Sequence, residues 1–192
     1  MVKELWQMKS RELLEQPAYF DSLFQAEAGR ETKYPFFTSD MPFAAEDAGE
    51  ETVRMAVLFK HPLFVKSRQE ASEILIGKDI YPSGNGRAGE SSPTEKAIIE
   101  ADERLGDAAR EKGYDAIIAG AEVQVLDPSI LPEPVRVVWD QEQGNFKLED
   151  GSDWTDVSGH QRIVELALRE GKPVPSEVLA EYPNPRSRAE KK

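Results

Sequence analysis

The sequence predicts a chain that mixes strands and helices, and three observations support this. Residues 116–126 contain two short apolar strands with a glycine between them. Residues 52–59 carry apolar side chains on both faces, which is typical of an interior strand. Ser92 and Glu95 have the spacing of a capping box, and apolar residues then recur at helical spacing as far as Gly113.

The composition excludes several classes of function. The chain has 192 residues, a net charge of −12 and no cysteine. We expect no direct nucleic-acid binding, because an acidic protein repels phosphate backbones. Disulfides and thiol nucleophiles are excluded, which fits a reducing cytoplasm. His61 and His160 are far apart in the sequence, so we predict neither a Ser-His-Asp triad nor a metal site.

The chain also lacks the signals of a membrane or secreted protein. It contains no run of about 18 apolar residues, and its first residues do not resemble a secretory signal. We therefore expect a soluble, cytoplasmic protein that has no membrane partner. The acidic balance leaves open that it docks on a basic protein.

One carboxylate stands at the start of the strand 122–126. Side chains alternate between the two faces of a strand, so if Val123 and Val125 point into the core, Glu122 and Gln124 share the other face. This second face either lines a cleft or is solvated.

A strand-like segment around residues 34–39 leads into a predicted helix over 41–48. Asp40 is a suitable N-cap, and a proline follows in the first turn. This places Thr38 and Ser39 at the end of a strand. Their hydroxyls and the nearby backbone N–H groups either hold a ligand or cap the helix.

The remaining segments predict short elements. We expect strands at 5–8 and 61–65 and a hairpin formed by 135–139 and 145–149. We expect helices at 19–24, where the apolar spacing is helical, at 68–76, after Ser158 and after Pro175. Residues 79–93 are rich in glycine and serine and predict a long loop, which is either a lid, a partner-binding loop or a disordered segment.

Four blocks in order resemble a known family. They are F-F-T-S-D-M-P-F-A (36–44), V-L-F-K-H-P-L-F-V (57–65), A-R-E-K-G-Y-D-A-I-I (109–118) and E-V-Q-V-L-D-P-S-I-L (122–131). Together they resemble the small ADP-ribosyltransferase-like domains of bacteriophage and mobile-element proteins. Residues 160–183 are similar to a short helical module found beside such domains.

The resemblance implies an α+β fold with a split, mixed β-sheet that holds NAD in a cleft. Residues 1–155 would form this domain, 156–183 a C-terminal helical module and 184–192 a flexible tail. Glu122 would occupy the position of the family's catalytic glutamate. Thr38 and Ser39 would support the nicotinamide side of the cleft, with Phe37 beside them, and Gln124 would contact an acceptor. The implied activity is transfer of ADP-ribose to a macromolecular target such as a host protein.

One departure from the family pattern affects the cofactor. The family's first strand usually carries an Arg or His in a Y-H-G-T-like segment that grips NAD. Here the candidate strand at 5–8 offers Gln7, which can form hydrogen bonds but supplies no charge to a pyrophosphate. The alternative is therefore a catalytically inactive, acidic interaction protein that binds a basic host protein, for example by imitating nucleic acid.

Overall fold

The computed structural model describes residues 3–25, 32–40, 51–82, 95–148 and 151–182. The strands are β1 (Tyr19–Gln25), β2 (Phe36–Thr38), β3 (Glu51–Leu58), β4 (Pro62–Val65), β5 (Ala116–Ala119), β6 (Glu122–Val125), β7 (Val135–Asp140) and β8 (Asn145–Leu148). The helices are α1 (Ser10–Leu14), α2 (Arg68–Ile76), α3 (Glu95–Glu111), α4 (Gly159–Arg169) and α5 (Ser176–Leu179). Single 3₁₀ turns form at Leu5–Gln7, Pro128–Ile130 and Trp154–Asp156.

The strands form one eight-stranded mixed sheet in the order β4-β5-β6-β2-β1-β3-β7-β8. β4 and β5 run parallel, and the other neighbouring pairs are antiparallel. A parallel pair needs a long crossover, and the segment containing α2 and α3 provides it. The protein is therefore an α+β protein, as the sequence predicted at this level.

Both faces of the sheet are packed. One face buries a core formed by alternate residues of five strands, namely Leu23, Phe37, Met55, Val57, Ala116, Ile118, Val123 and Val125. On the opposite face, α2 and α3 cover β5 through Ala71, Leu75, Leu105, Ala109 and Ile117. The prediction that Val123 and Val125 point into a core is confirmed, since both are fully buried.

Several predicted elements are confirmed because their signals are local. β5 and β6 are joined at Gly120, which adopts a positive φ of 64°. The interior strand β3 pairs with β1 and β7, and the hairpin of β7 and β8 forms as expected. Ser158 caps α4 by accepting the N–H of Gln161. The predicted helix 41–48, the capping box at Ser92 and most of the loop 79–93 lie outside the described residues.

The prediction of a helix at 19–24 is wrong, because these residues form β1. In β1, Phe20 pairs with Val57 while Leu23 pairs with Met55, so three steps of β1 face two steps of β3. This β-bulge shifts the apolar alternation by one residue and produces a spacing that reads as helical in the sequence.

The prediction of a strand at 5–8 is also wrong. Leu5–Gln7 is a 3₁₀ turn, and the Gln7 side chain folds back to accept the backbone N–H of Glu4 at 2.9 Å. Among the described strands, β1 precedes β2 in the chain, and it begins with Tyr19, Phe20, Asp21 and Ser22.

The helix α4 begins directly on β1. The Asp21 carboxylate accepts the backbone N–H groups of Gly159 at 2.9 Å and His160 at 3.1 Å, and it also pairs with the buried Arg54 at 3.3 Å. A Cβ at Gly159 would lie 2.0 Å from the backbone oxygen of Asp21, so α4 approaches the strand as closely as glycine allows.

A buried polar cluster joins the N-terminal segment to the C-terminal helices. His160 Nε2 donates to the carbonyl of Leu5 at 3.1 Å, since a carbonyl can only accept, and Nδ1 lies 2.5 Å from the Tyr182 hydroxyl. Ser10 Oγ donates to Glu181 at 2.7 Å. Burial lowers the pKa of His160, because an imidazolium would lose its hydration.

Candidate functional site

The strands β2 and β6 lie side by side and bring two parts of the predicted site together. Thr38 pairs with Glu122, and Phe36 pairs with Gln124. Directly paired residues share a face, so these four side chains lie on the face that α2 and α3 cover. Thr38 and Glu122 are thus neighbours although they are far apart in the sequence.

The polar residues after β2 are held by local hydrogen bonds. The backbone N–H of Ser39 donates to the carbonyl of Ala121 at 2.9 Å, which ties Ser39 to the turn before Glu122. The Thr38 hydroxyl accepts the backbone N–H of Asp40 at 3.0 Å. Glu122 stays partly open, with 36% of its side chain exposed.

Gln124 is buried, with 2% of its surface exposed. Its amide Nε2 donates to the backbone carbonyl of Asp102 at 3.0 Å. Of the two alternatives for this face, a cleft or a solvated surface, the solvated surface is wrong at Gln124. The Gln124 amide is bound to α3 and is not exposed to an acceptor. The expected contact between Gln124 and an acceptor is therefore not supported.

Phe37 and Gln7 lie elsewhere than expected. Phe37 pairs with Val123 and is buried with it in the core on the opposite face from Glu122, because adjacent residues of a strand alternate. Phe36 is the aromatic residue on the Glu122 face. Gln7 belongs to the 3₁₀ turn at the N-terminus and is not a member of the sheet.

The structure places Arg68 in the site, a residue for which the sequence predicted no role. Arg68 donates from Nε to Glu122 Oε1 at 2.6 Å and from Nη2 to Glu122 Oε2, which makes a bidentate pair. Its Nη1 lies 3.1 Å from both carboxylate oxygens of Asp102. The guanidinium carbon lies 4.1 Å from the centre of the Phe36 ring, within the range of a cation–π contact.

The fold brings Arg68 to Glu122 through three adjacent strands. Glu122 at the start of β6 pairs with Ala119 at the end of β5, and Ala119 pairs with Val65 at the end of β4. The chain then turns into α2, whose N-cap Ser67 accepts the N–H of Glu70. Arg68 is the first residue of α2 and therefore lies beside Glu122.

The two carboxylates around Arg68 differ in burial. Asp102 is 1% exposed and also accepts the Tyr81 hydroxyl at 2.8 Å, whereas Glu122 is 36% exposed. Burial alone would lower the pKa of Arg68, but the hydrogen bonds and negative charges of Glu122 and Asp102 outweigh it and raise that pKa. Burial and the charge of Asp102 raise the pKa of Tyr81, so this phenol stays neutral.

A signal for part of this cluster was present in the sequence. Asp102 follows Ile98 by four residues and precedes Leu105 by three, so it lies on the apolar side of α3. A carboxylate in that position needs a buried partner. The identity of the partner is not local information, since Arg68 comes from a different helix.

The described residues give no support for a metal site or a membrane-spanning helix. There, no group of three or more His, Cys, Asp or Glu side chains is arranged to hold a metal ion. Across the same residues, no helix is long and apolar enough to cross a membrane. A pocket between α4 and β3 encloses about 20 Å³, room for a single water, and Glu122 does not line it.

No family model, no curated protein and no solved structure matches the chain. The site consists of the partly exposed carboxylate of Glu122, the guanidinium of Arg68 that holds it, the buried carboxylate of Asp102, and the end of β2 with Thr38 and Ser39.

Proposed function

We propose that the protein is an ADP-ribosyltransferase-like protein of phage or mobile-element origin that binds NAD beside Glu122 and acts on a macromolecular target in a host cytoplasm. The observation that carries the proposal is the pairing of Glu122 with Thr38, with Ser39 tied to the turn before Glu122. Three residues expected to share a site on the basis of the family resemblance are neighbours, and the carboxylate among them is partly exposed.

The charge of the cluster supports this chemistry. The guanidinium of Arg68 faces two carboxylates, and the one that reaches solvent is Glu122. Cleavage of the bond to nicotinamide creates an oxocarbenium-like ribose. A fixed carboxylate beside the ribose offsets that positive charge, and such preorganised electrostatics are a large part of catalysis.

The first strand supports only weak binding of the cofactor. β1 precedes β2 in the chain and would take the position of the Y-H-G-T segment, and it carries Tyr19, Phe20, Asp21 and Ser22 with neither Arg nor His. Asp21 is engaged with α4 and Arg54. The pyrophosphate therefore receives no charged contact from β1, and we expect NAD to bind weakly.

The test is release of nicotinamide from NAD by wild type and by Glu122→Gln. We expect slow release by wild type and a loss of about 10²-fold in Glu122→Gln, the size typical of removing one electrostatic contact to the transition state. Glu100→Gln on the exposed side of α3 is the matched control and should release nicotinamide like wild type. Absence of both NAD binding and nicotinamide release in wild type at millimolar NAD refutes the proposal.

A second candidate function is an acidic interaction protein that binds a basic host protein. The observation that favours it is that both oxygens of Glu122 are engaged by Arg68 while β1 lacks a basic residue. The net charge of −12 would supply the attraction. This function predicts a complex that weakens with salt and is unchanged by Glu122→Ala. A complex that resists high salt, or the lack of any complex at low salt, argues against it.

A further inference from the structure

Arg68 stands between two carboxylates of unequal burial. Asp102 is almost completely buried, whereas more than a third of the Glu122 side chain reaches solvent. Arg68 uses Nη1 for the buried carboxylate and its Nε–Nη2 edge for the exposed one. The guanidinium is thus divided between an inner and an outer partner.

The inner partner is fixed. Asp102 lies on the long helix α3, and its carboxylate also accepts the hydroxyl of Tyr81. Its backbone carbonyl accepts the amide of Gln124, which joins α3 to β6 two residues beyond Glu122. This hydrogen bond fixes the position of Asp102 relative to Glu122, and Arg68 forms an ion pair with each of them.

The plane of the guanidinium is fixed as well. Its carbon lies 4.1 Å from the centre of the Phe36 ring on the neighbouring strand β2. A planar fork held by a ring and by a buried carboxylate has little freedom to rotate. The outer edge then presents two parallel N–H groups to Glu122, which fixes the orientation of that carboxylate.

The bidentate pair still leaves Glu122 able to act. An ionised carboxylate offers about four lone-pair directions, and the fork of Arg68 occupies two of them. The exposed part of the side chain leaves the others accessible from the open side. A lysine at this position would supply a point charge without the fork and would not define the orientation.

We propose that Arg68 is a positioning residue that holds the Glu122 carboxylate in one orientation, with buried Asp102 as its anchor and Phe36 as its platform. The effect of Arg68 on nicotinamide release rests on the proposed function, whereas its ion pair with Glu122 does not. Arg68 acts through Glu122 and need not touch the substrate.

The test combines a readout without NAD and one with NAD. A water-soluble carbodiimide and an amine label accessible carboxylates, and peptide mass spectrometry compares Glu122 with the exposed Glu100 in the same chain. We expect Glu122 to label several-fold more slowly than Glu100 in wild type. In Arg68→Lys it should label about fivefold faster than in wild type, the size expected on losing a partly exposed charge pair. For nicotinamide release, Arg68→Lys should lower kcat about 10²-fold with KM for NAD unchanged.

Failure of the two proposals can be told apart. Wild type that neither binds NAD nor releases nicotinamide refutes the proposed function, and the labelling of Glu122 still decides whether Arg68 holds it. Equal labelling of Glu122 and Glu100 in wild type overturns the positioning role, as does a kcat of Arg68→Lys equal to that of wild type. If Arg68→Lys does not fold, NMR of the arginine Nε–H groups tests the contact instead. The Arg68 Nε–H signal should shift in Glu122→Gln, because its acceptor is changed, and should not shift in Glu100→Gln. An Arg68 signal that does not shift in Glu122→Gln overturns the positioning role.

Discussion

Replacement of Arg68 by methionine tests whether the ion-pair cluster is part of the stability of the fold. Arg68→Met keeps much of the side-chain volume but removes the positive charge that Arg68 offers to the buried Asp102, which still accepts the Tyr81 hydroxyl. Removing one partner of a buried charge pair costs about 3–5 kcal/mol. Because Tyr81 still donates to Asp102, and because Glu122 is partly exposed and screened by solvent, we expect a loss near the lower end, about 3 kcal/mol.

Urea denaturation measures this loss. With an m-value of about 2 kcal/mol/M, the midpoint of Arg68→Met should fall by about 1.5 M. The double variant Arg68→Met/Asp102→Leu should recover much of the loss, because the buried carboxylate is then removed together with Arg68. Lys96→Met, which breaks an exposed pair with Glu100 at 3.8 Å, is the matched control and should unfold like wild type. A midpoint for Arg68→Met close to that of wild type, or no recovery in the double variant, refutes the reasoning.

Two further predictions concern the junction between α4 and the sheet. Gly159→Ala would place a Cβ 2.0 Å from the backbone oxygen of Asp21, so we expect a loss of about 1–3 kcal/mol or more in the free energy of unfolding, measured by urea denaturation; an unchanged midpoint would show that α4 does not lie this close to β1. Burial lowers the pKa of His160 in the folded state. As the pH falls below about 6.5, the imidazole is therefore protonated in the unfolded chain but not in the folded chain, and the folded state loses stability. The melting temperature of wild type should therefore fall more between pH 7.5 and 5.5 than that of His160→Gln, and equal falls would contradict a buried neutral imidazole.

The sequence predicted the elements whose signals are local. The strands β5 and β6 and the helix α3 follow from apolar spacing and from the glycine between the strands, and the inward direction of Val123 follows from strand alternation. That Glu122 and Thr38 would share a site was expected only from the resemblance to a family. It depends on the order of strands in the sheet, which local spacing does not specify.

Two kinds of information were missed. In β1, a bulge changes the phase of the apolar pattern, so residues 19–24 have helical spacing although they form a strand. The site role predicted for Gln7 depended on a strand at 5–8, where the structure has a 3₁₀ turn. The role of Arg68 was missed because its partners Asp102 and Glu122 are 34 and 54 residues away, and only the folded chain brings them together.

Thermal denaturation with and without NAD shows whether NAD binds at Glu122. Because we expect weak binding, millimolar NAD should exceed its dissociation constant only about tenfold, which adds roughly 1.4 kcal/mol and raises the midpoint of a chain of this size by about 3–6 °C. We predict such a rise for wild type and for Glu100→Gln, and a smaller rise for Glu122→Gln. No rise in wild type at millimolar NAD, or the same rise in Glu122→Gln as in wild type, would contradict an NAD site at Glu122.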